Sequence, residues 1–173
     1  MSDLFAGVRD DIADALDALL PTHSDIAQPM VDAMRHAVLG GGKRMRPLMA
    51  CAACEAFSGS FKAALPAACG LEFIHAYSLI HDDLPAMDDD ELRHGQAATH
   101  VAFGEANAIL AGDSLHSLAF QSLAEAPGLS QAAKLRCITL LSTAAGWPGM
   151  AGGQCLDIAA EGENLSLARL EAL

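Results

Sequence analysis

Aromatic residues are few: one Trp, one Tyr and six Phe in 173 residues. Val, Ile and Thr are sparse as well, which leaves little of the β-branched and aromatic material that strands are built from. A sheet-based domain is therefore not expected. Positive charge is also scarce. Ten Lys and Arg stand against 22 Asp and Glu, for a formal net charge of −12. That argues against a general nucleic-acid binder, because phosphate backbones need basic surface. No uninterrupted apolar run reaches the roughly 18 residues of a membrane span. The N-terminus, MSDLFAGVRDD, lacks a basic region followed by an apolar core, so no signal peptide is expected. The five cysteines are odd in number and have no framework spacing, which suggests reduced thiols in a cytoplasmic protein. Cys51 and Cys54 form a C-x-x-C without a second pair, so they read as packed core thiols before zinc or redox ligands.

What is present is Ala and Leu, within a chain that is 52% hydrophobic. Both residues favour helix, and the length suits one all-α domain over residues 1–173. Leu4, Val8, Ile12, Leu16 and Leu19 follow helical spacing up to Pro21. A second helix is expected over about Asp25–Leu39, ending at Gly40-Gly41-Gly42, and a third from about Pro47. Ser58-Gly59-Ser60 reads as a turn. A long apolar helix is expected over Pro66–Leu84, and a loop over Arg93–Thr99. Further helices are expected at about His100–Leu110, Asp113–Glu125, Ser130–Ala145 and Gly149–Ala159. Ser166 reads as the N-cap of one more, cut off at Leu173, which suggests a longer parent chain.

The charges are unevenly placed. Three of the ten basic residues fall within Lys43–Arg46, and six of the 22 acids fall within Asp82–Glu91. The long helix ends in Asp82-Asp83, and Pro85, Asp88, Asp89 and Asp90 follow. Acids at a helix C-terminus oppose the macrodipole and repel one another. A hard divalent cation would compensate, and magnesium takes one or two carboxylates with water and phosphate oxygens. On a regular helix Asp82 and Asp89 share a face, whereas Asp88 sits about 120° from Asp82. Pro85 breaks that phase, so periodicity does not choose the ligands. A solvated acidic loop and a calcium site remain open readings, although the EF-hand spacing is absent.

Gly40-Gly41-Gly42-Lys43-Arg44-Met45-Arg46-Pro47 is a Gly-rich turn leading into a helix. It is not a P-loop. Backbone amides, a helix start and cationic side chains there suit a diphosphate, although surface turns of this type are common. His75 lies seven residues before Asp82. Two helical turns place both on one face, about 10 Å apart. A lone helical His is otherwise more often structural.

These blocks together resemble the trans-isoprenyl diphosphate synthase (polyprenyl synthetase) family, and within it the bacterial farnesyl type. They are GGKRMRP at Gly41–Pro47, EFIHAYSLIHDDLPAMDDDELRHG at Glu72–Gly95, FGEANAILAGDSL at Phe103–Leu115, and GGQCLDIAAEG at Gly152–Gly162. The resemblance implies an isoprenoid synthase-type helical bundle around a central cavity. It also implies a magnesium-dependent prenyltransferase, acting as a homodimer, that joins isopentenyl diphosphate to an allylic diphosphate, dimethylallyl or geranyl, to give farnesyl diphosphate. Asp82 and Asp88 match magnesium ligands, with Asp83 in support. Lys43, Arg46 and His75 match the isopentenyl diphosphate pocket, Arg93 a residue on the allylic diphosphate, and Gln154 a glutamine of the catalytic cavity. Asp113 is expected to be structural. Tyr77 and Ser78, one turn below the acids, are expected to set product length. A ten- or twenty-carbon product (a geranyl or geranylgeranyl diphosphate synthase) is the alternative, as is a noncatalytic helical partner subunit.

There are two departures from the family. His94 stands where the family has a second arginine for isopentenyl diphosphate, and it offers no guanidinium fork. The second Asp-rich motif is missing, so the chain is expected to hold half an active site and to be inactive alone. Other helical metal proteins are weaker readings. A di-iron bundle needs a repeated Glu-x-x-His, and Glu72-Phe73-Ile74-His75 is a single match. A terpene cyclase would not normally carry the GGKR turn.

Overall fold

A computed structural model describes residues 6–58 and 60–171. Leu4, Gly59 and Leu173, used above, lie outside the described residues. Two compact units divide at Leu129 and Ser130.

The first unit is built on α4, Leu65–Asp82, which follows a single 3-10 turn at Phe61–Ala64. Pro66 sits in its first turn, where a missing N–H is harmless. This helix is apolar nearly all round because it is packed all round. It lies against α1 (Ala6–Leu19), α2 (Gln28–Leu39), α3 (Met45–Ser58) and, most extensively, α6 (Glu105–Ala124). The stretch Phe61–Asp82 is long and apolar enough to cross a membrane by composition. In this unit it is the core helix, with Cys69 and Phe73 fully buried. Small residues bring α4 and α6 close. Ala108, Ala111 and Ala119 are fully buried, and a Cβ on Gly70 would stand 3.2 Å from the Ala119 carbonyl.

Several boundaries differ from the expectations. The break expected around Ala111-Gly112 falls instead at Gly104, which has φ +82 and separates α5 (Thr99–Phe103) from α6. Gly112 lies inside α6, where a Cβ would stand 2.3 Å from His81 Nε2. It is there for close approach, not for a turn. Leu20 is buried and Leu19 is 37% exposed, so the inward stripe of α1 is shifted by one residue at its end. Within the expected loop, Leu92–Arg93 (β1) and Gln96–Ala97 (β2) form a minimal antiparallel hairpin, with Arg93 opposite Gln96. Its two-residue tip, His94 and Gly95, has φ +53 and +80, and positive φ at both positions is the requirement of a type I′ turn. Cys51 is buried as expected, but Cys54 is only half-buried; Cys69 is buried, Cys155 is exposed, and all five cysteines are free thiols.

The second unit contains α7 (Gln131–Ala145), α8 (Met150–Ala159) and the short α9 (Leu167–Leu170). Ser130 and Ser166 cap α7 and α9, accepting bonds from Ala133 N–H and Arg169 N–H.

Candidate functional site

Where α2 ends, the chain turns sharply into α3. Gly41 and Gly42 have φ of +117 and +110, which L-residues rarely adopt. Gly40 is needed for another reason: a Cβ there would stand 2.6 Å from the His36 carbonyl and 3.0 Å from Gln96 Oε1. The hairpin therefore packs directly on the glycine turn, and His36 Nε2 bonds to the Ala97 carbonyl beside it at 2.9 Å. Turn, hairpin and α4 together line a cavity of about 600 Å³.

Lys43, Arg46, His75, Arg93 and His94 all reach the cavity wall. Lys43 and Arg46 have no hydrogen bond or ion pair among the described residues. Two cations without an ion-pair partner beside the glycine turn would suit an anion such as a diphosphate. His75 is half-buried, and its pKa is lowered. Burial is the main cause, joined by the charges of Arg46, His94 and Arg44, with Glu72 opposing. In sequence, Arg44 is one of three cations in the turn, and Glu72 opens the Asp-rich block and a single Glu-x-x-His, with no role given to either. These two form a buried ion pair, Arg44 Nη1 to Glu72 Oε1, at 2.6 Å. A single carboxylate inside an apolar helix was the available signal.

The acidic cluster adjoins this cavity through Asp83. Helix α4 ends at Asp82, and Asp83 is its C-cap, 2% exposed. Arg93 Nε donates to Asp83 Oδ1 at 3.0 Å, its Nη2 reaches the same oxygen, and Nη2 also meets Asp90 Oδ2 at 3.1 Å. The hydrogen bond to Asp83 is the main cause of the raised Arg93 pKa, against the effect of burial. Asp83 is thus committed to Arg93 in this state.

Beyond Asp82 the helical phase is lost. The Asp88 N–H donates to the Asp82 carbonyl at 2.8 Å, and Asp89 has φ +54. This turn seats Asp88 beside Asp82, which simple 3.6-residue periodicity would not do. Asp82 is half-buried and Asp88 is exposed. Among the described residues no three His, Cys, Asp or Glu side chains converge as a ready metal cage. Two carboxylates on a turn would leave most of a coordination shell to water and a bound phosphate. That arrangement matches the way a small hard cation such as magnesium is held.

Tyr77 is half-buried on α4. It makes edge contacts with the rings of His81 and His116, with centroids 5.0 and 5.1 Å away, and Phe120 extends the stack beyond His116. The Ser78 hydroxyl donates to the His75 carbonyl at 2.9 Å. Asp113 is exposed and 4.0 Å from His81 Nε2. Gln154 lies on α8, half-buried, in the second unit.

A glycine turn, a cationic cavity and an acidic turn in this order agree with one family. The polyprenyl synthetase model matches residues 27–172. The chain belongs to the polyprenyl synthetase family. It is 50% identical over 147 residues to the farnesyl diphosphate synthase of Escherichia coli (strain K12), covering 84% of this chain and 49% of that one. It is 45% identical over 162 residues to a heterodimeric geranylgeranyl pyrophosphate synthase large subunit of Arabidopsis thaliana, covering 92% of this chain and 43% of that one. The apo crystal structure of an FPP/GFPP synthase from Zymomonas mobilis superimposes with a TM-score of 0.91 at 41% identity, over 98% of this chain and 62% of that chain. The chain thus spans about half the length of the relatives it matches, and its helical fold is that of these prenyl synthases.

Proposed function

We propose that this chain carries the isopentenyl diphosphate pocket and the first metal-binding wall of a prenyltransferase. The reaction adds isopentenyl diphosphate twice to dimethylallyl diphosphate, or once to geranyl diphosphate, and yields farnesyl diphosphate, with one diphosphate and one proton released at each addition. The observation that carries the reading is the unpaired cationic set, Lys43 and Arg46, beside His75 and His94 in one cavity.

In this reading Lys43 and Arg46 hold the isopentenyl diphosphate head group, and the His75 ring N–H donates to it. Asp82 and Asp88 would hold magnesium, whose chemistry when bound would be charge neutralisation of a diphosphate leaving group. Arg93 exchanges part of its bond to Asp83 for a phosphate oxygen. The apolar wall formed by Ala76, Leu79 and Ile80 keeps water from the reacting carbons. Tyr77, backed by His116 and Phe120, limits the product to fifteen carbons. We further infer a homodimer in the cytoplasm.

The test is incubation with magnesium, isopentenyl diphosphate and dimethylallyl diphosphate, followed by measurement of product chain length. It should be run on this chain and on any longer gene product that contains it. Elongation to farnesyl diphosphate is expected from the longer product, and diphosphate binding without turnover from this chain alone. The reading fails if neither shows magnesium-dependent elongation.

A further inference from the structure

Three cations stand in the turn, Lys43, Arg44 and Arg46, but the structure treats one differently. Arg44 is not available to an anion. Its Nη1 is on Glu72 Oε1 and its Nη2 donates to the Val38 carbonyl, each at 2.6 Å. One guanidinium therefore ties the end of α2 to the middle of α4 across the glycine turn. Arg44 has φ +52 and directly precedes α3. Lys43 before it and Arg46 after it are the cations left unpaired.

Glu72 is nine-tenths buried by side chain (6% exposed), and its second oxygen, Oε2, has no hydrogen-bond partner. Both Glu72 and His75 line the cavity, three residues apart on one helical face. A buried carboxylate with an unsatisfied oxygen is unfavourable for folding alone. Structural economy therefore does not account for this residue.

We propose that Glu72 is a positioning residue for diphosphate binding. It withdraws Arg44 from the anion and uses it as a tie, which fixes the turn so that Lys43 and Arg46 face the cavity. Its negative charge also offsets the cations crowding His75, namely Arg46 and Arg44 from the turn and His94 from the hairpin. Lys43 and His36 line the same cavity. The inference rests on the diphosphate reading above and names a residue that reading does not use.

The test is calorimetric titration of inorganic diphosphate into the whole chain as wild type, Glu72→Gln and Glu72→Asp. Thermal unfolding is run alongside, and the His75 imidazole is followed by NMR. Expected results are at least tenfold weaker binding by folded Glu72→Gln, partial recovery in Glu72→Asp, and protonation of His75 at lower pH in Glu72→Gln than in wild type. If Arg44 were itself a diphosphate ligand, freeing it would tighten binding. Equal or tighter binding by Glu72→Gln therefore overturns the proposal while leaving the functional reading intact. A melting temperature that falls with unchanged affinity overturns it as well, since that is a purely structural role. A wild type that binds no diphosphate overturns the functional reading, and this proposal with it. Should Glu72→Gln not fold, Glu72→Asp decides: it keeps the charge but shortens the reach, so wild-type affinity there counts against positioning.

Discussion

At the scale of single residues, His94 and His75 stand on the same cavity wall. His94 occupies the first position of a type I′ tip, a left-handed conformation that His tolerates better than most residues. Its Nε2 would lie 3.8 Å from a Cβ on Gly42, so the ring faces the glycine turn. Replacement by Arg supplies a permanent charge and a fork for phosphate. His94→Arg is expected to bind inorganic diphosphate several-fold tighter near pH 8, measured by calorimetry; identical affinities would contradict that role. His75 has a folded pKa below its ordinary value of about 6.5. Between those two values the unfolded chain holds more protons than the folded one. Stability is therefore unimpaired by this group above about pH 6.5 and declines as pH falls toward the folded pKa. His75→Gln should flatten that part of the stability–pH profile, as read by urea unfolding across pH 5–8. Asp88 shows why helical spacing alone did not pair the acids: its place beside Asp82 is made by a backbone hydrogen bond in a turn.

At the scale of elements, glycines separate two kinds of constraint. In Gly152, a Cβ would stand 2.0 Å from the Trp147 carbonyl oxygen, a backbone atom that cannot swing aside. Gly152→Ala should destabilise the start of α8 by about 1–3 kcal/mol, typical of forced overpacking, visible as faster amide exchange in Met150–Ala159. In Gly112, the obstacle is the tip of the His81 ring. That ring can rotate away, and Ala is a better helix former than Gly by about 1 kcal/mol. Gly112→Ala is expected to change overall stability by less than about 1 kcal/mol. It should break the contact of His81 with the Ile109 carbonyl, seen as an altered His81 ring signal by NMR. This is also why the helix boundary was misplaced in sequence. A glycine that ends a helix and a glycine that lets two helices touch look alike until the partner helix is known. Gly104 ends one and Gly112 does the other.

At the scale of the whole molecule, the two units are unequally built. The buried apolar residues of the first unit include Ile12, Leu16, Phe73, Leu115 and Leu123, whereas among the described residues of the second they are Leu141 and Ala145. Few buried contacts mean low local stability. Amides of α7–α9 are expected to exchange faster than those of α4 and α6; equal protection would contradict this. The cations Lys43 and Arg46 and the acids Asp82 and Asp88 lie on different segments of the chain. On the proposed reading, chelating divalent metal should abolish prenyl elongation by a longer product that contains this chain, yet leave inorganic diphosphate bound to the chain at Lys43 and Arg46, since neither residue belongs to the acidic turn. Loss of both on chelation would mean that the two sites are one.

Sequence by itself determined the helical class, the core helix carrying Phe73 and His75, the glycine-rich cationic turn and the acidic turn. Each of these is a local property, set by residue type, by 3.6-residue spacing or by a stop at Gly or Pro. Family membership was legible for the same reason, since its blocks are contiguous. The resemblance singled out Lys43 and Arg46, but only the tertiary structure showed what ties Arg44 off, that Asp83 belongs to Arg93, and that the hairpin tip reaches the glycine turn. Those outcomes depend on which elements meet. An ion pair between residues 44 and 72, or 83 and 93, forms only after α2, α3, α4 and the hairpin have packed around a shared cavity.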